Sequence, residues 1–453
     1  MVSAWPSHPP RSITSRDDFL DVAEPWVRPR SSQLALPLLR AAVGHQRRAR
    51  PWVLPAAPTV PGRAQCCPQL IPSIGGALAH DALGTVLRTR PVSVTRTGLT
   101  TLGRVSQLLY VTTDELGKKT VSVATVVQPE KMSASRATHL ISYQAAYDAL
   151  GAQCDPSYTF PLTLQHETIP APIPVQYAAL GYTVVMSDYE GEDLAYGAGQ
   201  QSGFETLDAI RAAERWLGIP QVSTPVGLVG YSGGSIATEF ASELAPTYAP
   251  DLDIVGVAEG GVPVDLFHNL AYVDQPGSSW TWVIPALMIG LARGFDIDDI
   301  DAFLTHEGIA VVKTDQSKCA GDFTGLTIKQ MFKPQFQNFK TVPLFVRILD
   351  HLIMSRTGTP RGPLFLGIGR SDSVGDGVMV TKDVQQLAYI YCHRGVPVEL
   401  HVYQGLSHTE AGLPFLEQAQ AFLSQRFENL TVQNGCSGIA QGNSIAPVSM
   451  PAS

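Results

Sequence analysis

Gly230-Tyr231-Ser232-Gly233-Gly234 is the stretch of the chain whose residue types and spacing point most directly to chemistry. A serine hydroxyl attacks an acyl carbonyl well only when a general base takes its proton. Glycines two residues to either side of the serine let a strand turn abruptly into a helix, because side chains there would collide. The turn lifts the hydroxyl clear of the sheet. The helix beyond it presents free N–H groups and a partial positive charge. The flanks suit this geometry: an apolar run at 226–229 leads in, and a helix-forming run from Ile236 leads out. The N–H of Gly233 then falls where a donor to a developing oxyanion is needed.

The base must follow the serine in the order Ser, acid, His that this strand–turn–helix setting carries in α/β-hydrolases. Histidines after Ser232 are His268, His306, His351, His393, His401 and His408. The first three precede the strand expected to carry the acid. His393 falls at a helix C-terminus, and His401 lies inside a strand. His408 follows the last strand, in the loop Gly405-Leu406-Ser407-His408-Thr409, and is the expected base. The acid should end the preceding strand, which runs into Arg370-Ser371-Asp372-Ser373-Val374-Gly375-Asp376-Gly377-Val378-Met379. Asp372 lies nearer the strand end. Asp376 opens an Asp-x-x step of the kind that often follows such an acid, and is favoured. The other aspartate would then cap a turn or face solvent.

These side chains need a sheet to hold them. Continuous apolar runs at 121–128, 140–144, 182–188, 226–230, 254–258, 364–367 and 398–403 read as strands covered on both faces. Helical patterns at 206–217, 236–244, 384–392 and 415–427 lie between them. Strand and helix in alternation predict an α/β fold with a mostly parallel sheet. About 100 residues separate the strand near Gly261 from that near Leu364, too many for a plain crossover. An inserted, largely helical cap over the active site is expected there. The resulting organisation is an irregular leader over 1–80, core over 81–265, cap over 266–360, core over 361–440 and a tail over 441–453.

Composition narrows the classes. The chain has 453 residues, 44% hydrophobic and only 16% charged, which suits a packed enzyme rather than a disordered scaffold. A formal net charge of −8 argues against a nucleic-acid partner. There is no Walker-type phosphate loop and no histidine pair with zincin spacing, so neither cofactor nor metal is expected. No apolar run reaches membrane-spanning length; the nearest, 280–292, reads as a buried or amphipathic helix. The proline-rich start lacks the basic and apolar regions of a signal peptide. Cys66 and Cys67 are adjacent, whereas Cys154, Cys319, Cys392 and Cys436 are scattered; counting alone fits two disulfides or four free thiols.

Further segments carry a resemblance. Ser142-Tyr143-Gln144, Asp148, Cys154, Pro156-Ser157-Tyr158, Gly230–Gly234, Tyr248-Ala249-Pro250 and Gly260-Gly261-Val262-Pro263-Val264 occur in one order. Over most of 120–440 the chain resembles the fungal and actinobacterial secretory lipases typified by Candida antarctica lipase A. The resemblance implies the α/β-hydrolase fold and a separation of acid and base that favours Asp376. It implies an oxyanion-hole role for Asp148 beside Gly233, and disulfides Cys154–Cys319 and Cys392–Cys436, hence export to the medium or cell envelope. It also implies that 280–292 lines a channel for an acyl chain. The acid loop departs from the family by lacking its closing proline, and residues 1–80 have no counterpart in it.

The function expected is hydrolysis of carboxylic esters, foremost acylglycerols met at a lipid–water interface. Short-chain esterase and acyltransferase activities are the alternatives within the same acyl-enzyme chemistry. A prolyl-oligopeptidase type would carry propeller repeats, and none is visible. A purely binding α/β-hydrolase would have no need of an intact Ser, Asp and His set.

Overall fold

Nine strands make one sheet in the computed structural model, which describes residues 78–93, 102–130, 139–164, 171–275 and 277–450. They are β1 (Val86–Val92), β2 (Leu102–Thr113), β3 (Lys119–Pro129), β4 (Leu140–Gln144), β5 (Thr183–Ser187), β6 (Pro225–Tyr231), β7 (Asp253–Gly260), β8 (Leu364–Arg370) and β9 (Val398–Gln404). Their order across the sheet is β1-β2-β3-β5-β4-β6-β7-β8-β9. Strands from β5 to β9 pair in parallel; β1, β2 and β3 join by antiparallel pairings. The sheet is therefore mixed but mostly parallel.

The helices among the described residues are α1 (Pro156–Thr163), α2 (Ile173–Ala179), α3 (Gly199–Leu217), α4 (Gly233–Tyr248), α5 (Leu266–Val273), α6 (Val283–Gly294), α7 (His306–Asp315), α8 (Ile328–Met331), α9 (Pro343–His351), α10 (Thr381–His393) and α11 (His408–Phe427). Alternate residues of each central strand point to opposite faces. Leu140, Leu228, Val257 and Leu366 pack with Leu207 and Ile210 of α3, Phe240 of α4 and Leu387 of α10. Ile141, Val229, Ala258 and Phe365 pack on the other face with Val175 of α2 and Phe415 and Phe422 of α11. Both faces are covered, which is why the sequence shows continuous apolar runs there.

The first two strands escape a search for such runs. β1 reads Val-Leu-Arg-Thr-Arg-Pro-Val and sits at the sheet edge, half in solvent. Pro91 is tolerated there because an edge strand has a side that makes no ladder bonds. The helix after β5 begins at Gly199, seven residues before the expected 206, behind two glycines. Side chains at Gly199 and Gly203 would run into Phe240 and the backbone of α4, so the glycines let α3 and α4 pack closely.

Between β7 and β8 the chain makes five helices, α5 to α9. The expected apolar helix at 280–292 appears as α6, starting at Val283, with Trp280 and Trp282 just ahead of it. No described helix is long and apolar enough to cross a membrane. Two disulfides are present among the described residues. Cys154–Cys319 ties the segment before α1 to the insertion, and Cys392–Cys436 ties the end of α10 to the chain after α11. Residues of the expected leader up to 77, with Cys66 and Cys67, lie outside the described residues, as do 451–453.

Candidate active site

Ser232 stands between the end of β6 and the first turn of α4 with φ 56° and ψ −126°. A non-glycine residue held there is strained, and the surroundings must impose it. Its N–H donates to Gly260 O at 2.9 Å, and Ser235 Oγ donates to its carbonyl at 2.6 Å. A Cβ on Gly230 would collide with Gly234 and Thr238, and one on Gly234 with the backbone of Gln144. The motif glycines are thus required by close approach. Gly233 is required for a different reason: a Cβ there would strike the carboxyl group of Asp148.

His408 is the first residue of α11 rather than a loop residue. Ser407 caps the helix, and Glu410 closes the capping box by accepting from Ser407 N and Oγ at 2.8 and 2.6 Å. The Ser-x-x-Glu signature is visible in the sequence and places the imidazole at a rigid helix start rather than on a free loop. His408 Nε2 lies 2.7 Å from Ser232 Oγ, and Nδ1 lies 2.8 Å from Asp376 Oδ2. Asp376 is fully buried. Its Oδ1 accepts from the N–H groups of Val378 and Met379 at 3.1 and 2.7 Å, and its carbonyl accepts from His408 N at 2.8 Å. Both carboxylate oxygens are therefore engaged, which fixes the carboxylate toward His408.

Asp372 is turned away. Its Oδ1 accepts from Val374 N and Gly375 N, and its Oδ2 from Tyr272 Oη at 2.7 Å. It shapes the turn that presents Asp376. The other histidines are engaged elsewhere. His268 meets Asp383 at 3.0 Å, His351 meets Glu115 at 3.3 Å, and His401 meets Glu399 at 2.8 Å. His393 Nδ1 is 2.8 Å from Tyr389 O at the end of α10, and His306 opens α7.

Asp148 has φ 41°, is 8% exposed, and has a carboxyl oxygen with no hydrogen-bond partner among the described residues. Burial pushes its carboxyl up to about 6, against a smaller opposing pull from His408. Below that value the carboxyl group holds its proton and can donate a hydrogen bond. Asp148, Ser232 and Gly233 line one cleft of about 510 Å³ together with Ile236, Leu266, Leu270, Val273, Trp280, Trp282, Val283 and Leu287. Most of that wall comes from α5 and α6, so the insertion supplies the apolar side of the site.

Three neighbours of His408 carry no signal in the sequence that they would meet it. Trp280 meets the imidazole at right angles, with centroids 5.2 Å apart. Tyr231 lies along it at 5.1 Å and donates its hydroxyl to His408 O. Gly261, at φ +57°, leaves room for the ring, since a Cβ there would come within 2.5 Å of His408 Cε1.

A secretory lipase family model matches residues 162–435. Lipase A of Arthroderma benhamiae is 31% identical over 374 residues, covering 78% of each chain. The chain belongs to the secretory lipase family. It is a carboxylic ester hydrolase. Another member, trichothecene C-3 esterase of Fusarium sporotrichioides, is 32% identical over 70% of this chain and 73% of its own. Among solved structures, Candida antarctica lipase A in its closed state superposes with a TM-score of 0.71 at 26% identity, covering 82% of this chain and 88% of that one. The secretory lipase match begins at 162, after the segment that carries Asp148, and spans both Ser232 and His408.

Proposed function

We propose that this secretory lipase cleaves acylglycerol esters through a Ser232–His408–Asp376 triad and a covalent acyl-enzyme. The observation that carries this is the continuous contact from Ser232 Oγ through His408 to Asp376, at 2.7 and 2.8 Å. His408 takes the hydroxyl proton as Ser232 attacks the ester carbonyl, then returns it to the leaving alcohol. Asp376 holds the ring in the tautomer that presents Nε2 to the serine and stabilises the imidazolium. The N–H of Gly233 and the protonated carboxyl of Asp148 receive the oxyanion. Water, activated by the same His408, then releases the fatty acid.

The insertion α5–α9 acts as a cap, and its apolar wall around Trp280–Leu287 holds the acyl chain. Such a wall suits a substrate drawn from a lipid–water interface. Membership of a secretory family and two disulfides together favour export.

Rates on p-nitrophenyl esters of increasing chain length test this reading, with Ser232→Ala as control. Wild type hydrolyses them and Ser232→Ala does not; equal inactivity of the two overturns it. Asp376→Asn lowers kcat by ~10⁴-fold. Asp372→Asn leaves kcat within a few-fold, and the reverse outcome reassigns the acid.

A further inference from the structure

Asn269 lies on α5, 6% exposed, in the wall of the cleft that holds Ser232, Gly233 and Asp148. Its amide nitrogen is fully used. It donates to Val378 O at 3.0 Å and approaches Met379 Sδ at 3.5 Å. These two contacts fix which arm of the amide is nitrogen, because a carbonyl oxygen can only accept. The other arm, Oδ1, is buried without a partner among the described residues. A buried amide oxygen left unpaired costs stability, and in the wall of a cleft a donor on the ligand can complete it. Asp148 and Ser232 are occupied by the reaction, whereas Asn269 is not. Leu266, Leu270, Val273 and Met379, which line the same cleft, are apolar. An oriented acceptor set in an apolar wall discriminates strongly, because a substrate lacking the matching donor leaves it desolvated and unpaired.

We propose that Asn269 Oδ1 accepts a hydrogen bond from a hydroxyl group of the ester substrate and so selects hydroxylated esters over plain alkyl esters. This rests on the reading that Ser232 opens the ester in this cleft. The hydroxyl can belong to the acyl chain or to the alcohol, and the two sources are separable. Asn269 also buttresses the acid loop, since Val378 N donates to Asp376 while Val378 O accepts from Asn269. A rate measured on one substrate would mix the two effects. A ratio of two substrates cancels the shared one.

The test compares kcat/KM for two substrate pairs. The first is p-nitrophenyl decanoate against a series of p-nitrophenyl hydroxydecanoates with the hydroxyl moved along the chain. The second is propyl decanoate against 1-monodecanoylglycerol. In wild type one hydroxylated member exceeds its plain partner by about tenfold, at one position and in one pair, which names the source. Asn269→Leu brings that ratio to about one, whatever rate it retains. Asn269→Asp, which keeps an acceptor but not the donor to Val378, retains more of the ratio than Asn269→Leu. Wild-type ratios near one at every position overturn the proposal, and need no variant to fold. A wild-type preference that survives unchanged in Asn269→Leu, with both rates lowered alike, also overturns it and leaves only the buttress. Failure of the underlying reading looks different: wild type would then match Ser232→Ala on the plain esters.

Discussion

Trp280 of the insertion stands perpendicular to His408 of the core, ring centroids 5.2 Å apart and planes at 87°. The insertion thereby touches the imidazole on one side, while Tyr231 covers it on another at 5.1 Å. The indole removes water from the ring and limits its rotation. Trp282 continues the same surface, 5.9 Å from Trp280, and stacks on Phe323.

Trp280→Ala should therefore lower kcat/KM by about two- to tenfold, the equivalent of the ~0.5–1.5 kcal/mol that an aromatic pair contributes beyond its buried area. The loss should be larger on long-chain esters, because Trp280 also lines the cleft. Trp280→Phe should recover most of it. A uniform loss at all chain lengths would assign Trp280 to His408 alone.

This contact shows where the sequence was legible and where it was not. The motif around Ser232 could be read because its glycines answer to backbone collisions between neighbouring turns, which are local. His408 could be read because the order of elements leaves one place for a base after the last strand. The choice between Asp372 and Asp376 was harder, since both lie in one loop. It depends on which carboxylate receives the N–H groups of Val378 and Met379, a matter of loop geometry. Trp280, Tyr231 and Asn269 reach the site from separate elements, and no spacing along the chain encodes that meeting. The edge strand β1 was hidden for a similar reason: half in solvent, it carries arginines where a central strand carries valines.

As the proposed oxyanion donor, Asp148 should make the reaction depend on pH in a way that a backbone donor would not. Its carboxyl is pushed up to about 6 by burial. Below that value it is protonated and, in the proposed role, would donate to the oxyanion; above it the proton is lost and a negative charge would face the oxyanion instead. Asp148→Asn supplies an N–H donor at every pH. The ratio of Asp148→Asn to wild-type kcat/KM should rise with pH between about 5 and 7. Asp148→Ala should lose about 10²-fold at pH 5, as removal of an oxyanion donor does elsewhere. A flat Asp148→Asn ratio would show that Asp148 does not donate.

Glu239 and Glu243 of α4 and Glu259 of β7 form a buried carboxyl cluster. Tyr391 Oη contacts both Glu239 and Glu243, and Glu243 also receives the N–H groups of Ser355, Thr357 and Gly358, where the insertion returns to the core. One hydroxyl proton cannot serve two carboxylates, so at least one partner holds a proton of its own. Burial pushes Glu259 up to about 8, with the Glu243 charge adding to it, and pushes Glu243 up to about 8, with the Glu239 charge adding. In the unfolded chain these groups titrate near 4.3. The folded state therefore binds more protons between the two values, and stability falls as pH rises from about 4.5 to about 8. Glu259→Gln should flatten that fall, so that its Tm relative to wild type is higher at pH 8.5 than at pH 5. An unchanged difference between the two pH values would remove Glu259 from the titration.

Cys154–Cys319 closes a loop of 165 residues and joins the segment just after Asp148 to the insertion. Around it, Gln153 Nε2 donates to Ser317 O at 2.6 Å, and Leu150 N to Lys318 O at 3.0 Å. The bridge therefore anchors the insertion next to the oxyanion side of the cleft. Replacing both cysteines with serine should cost about 2–4 kcal/mol in denaturant unfolding, the usual range for a native bridge over a long loop. Cys392→Ser with Cys436→Ser, which opens a loop of only 44 residues away from the cleft, should cost somewhat less stability. The two double variants should also differ in kinetics. Loss of Cys154–Cys319 should raise KM for long-chain esters, because the insertion wall is no longer pinned beside Asp148, whereas loss of Cys392–Cys436 should leave KM unchanged. Equal effects on KM would mean that the bridge stabilises the fold without positioning the cleft.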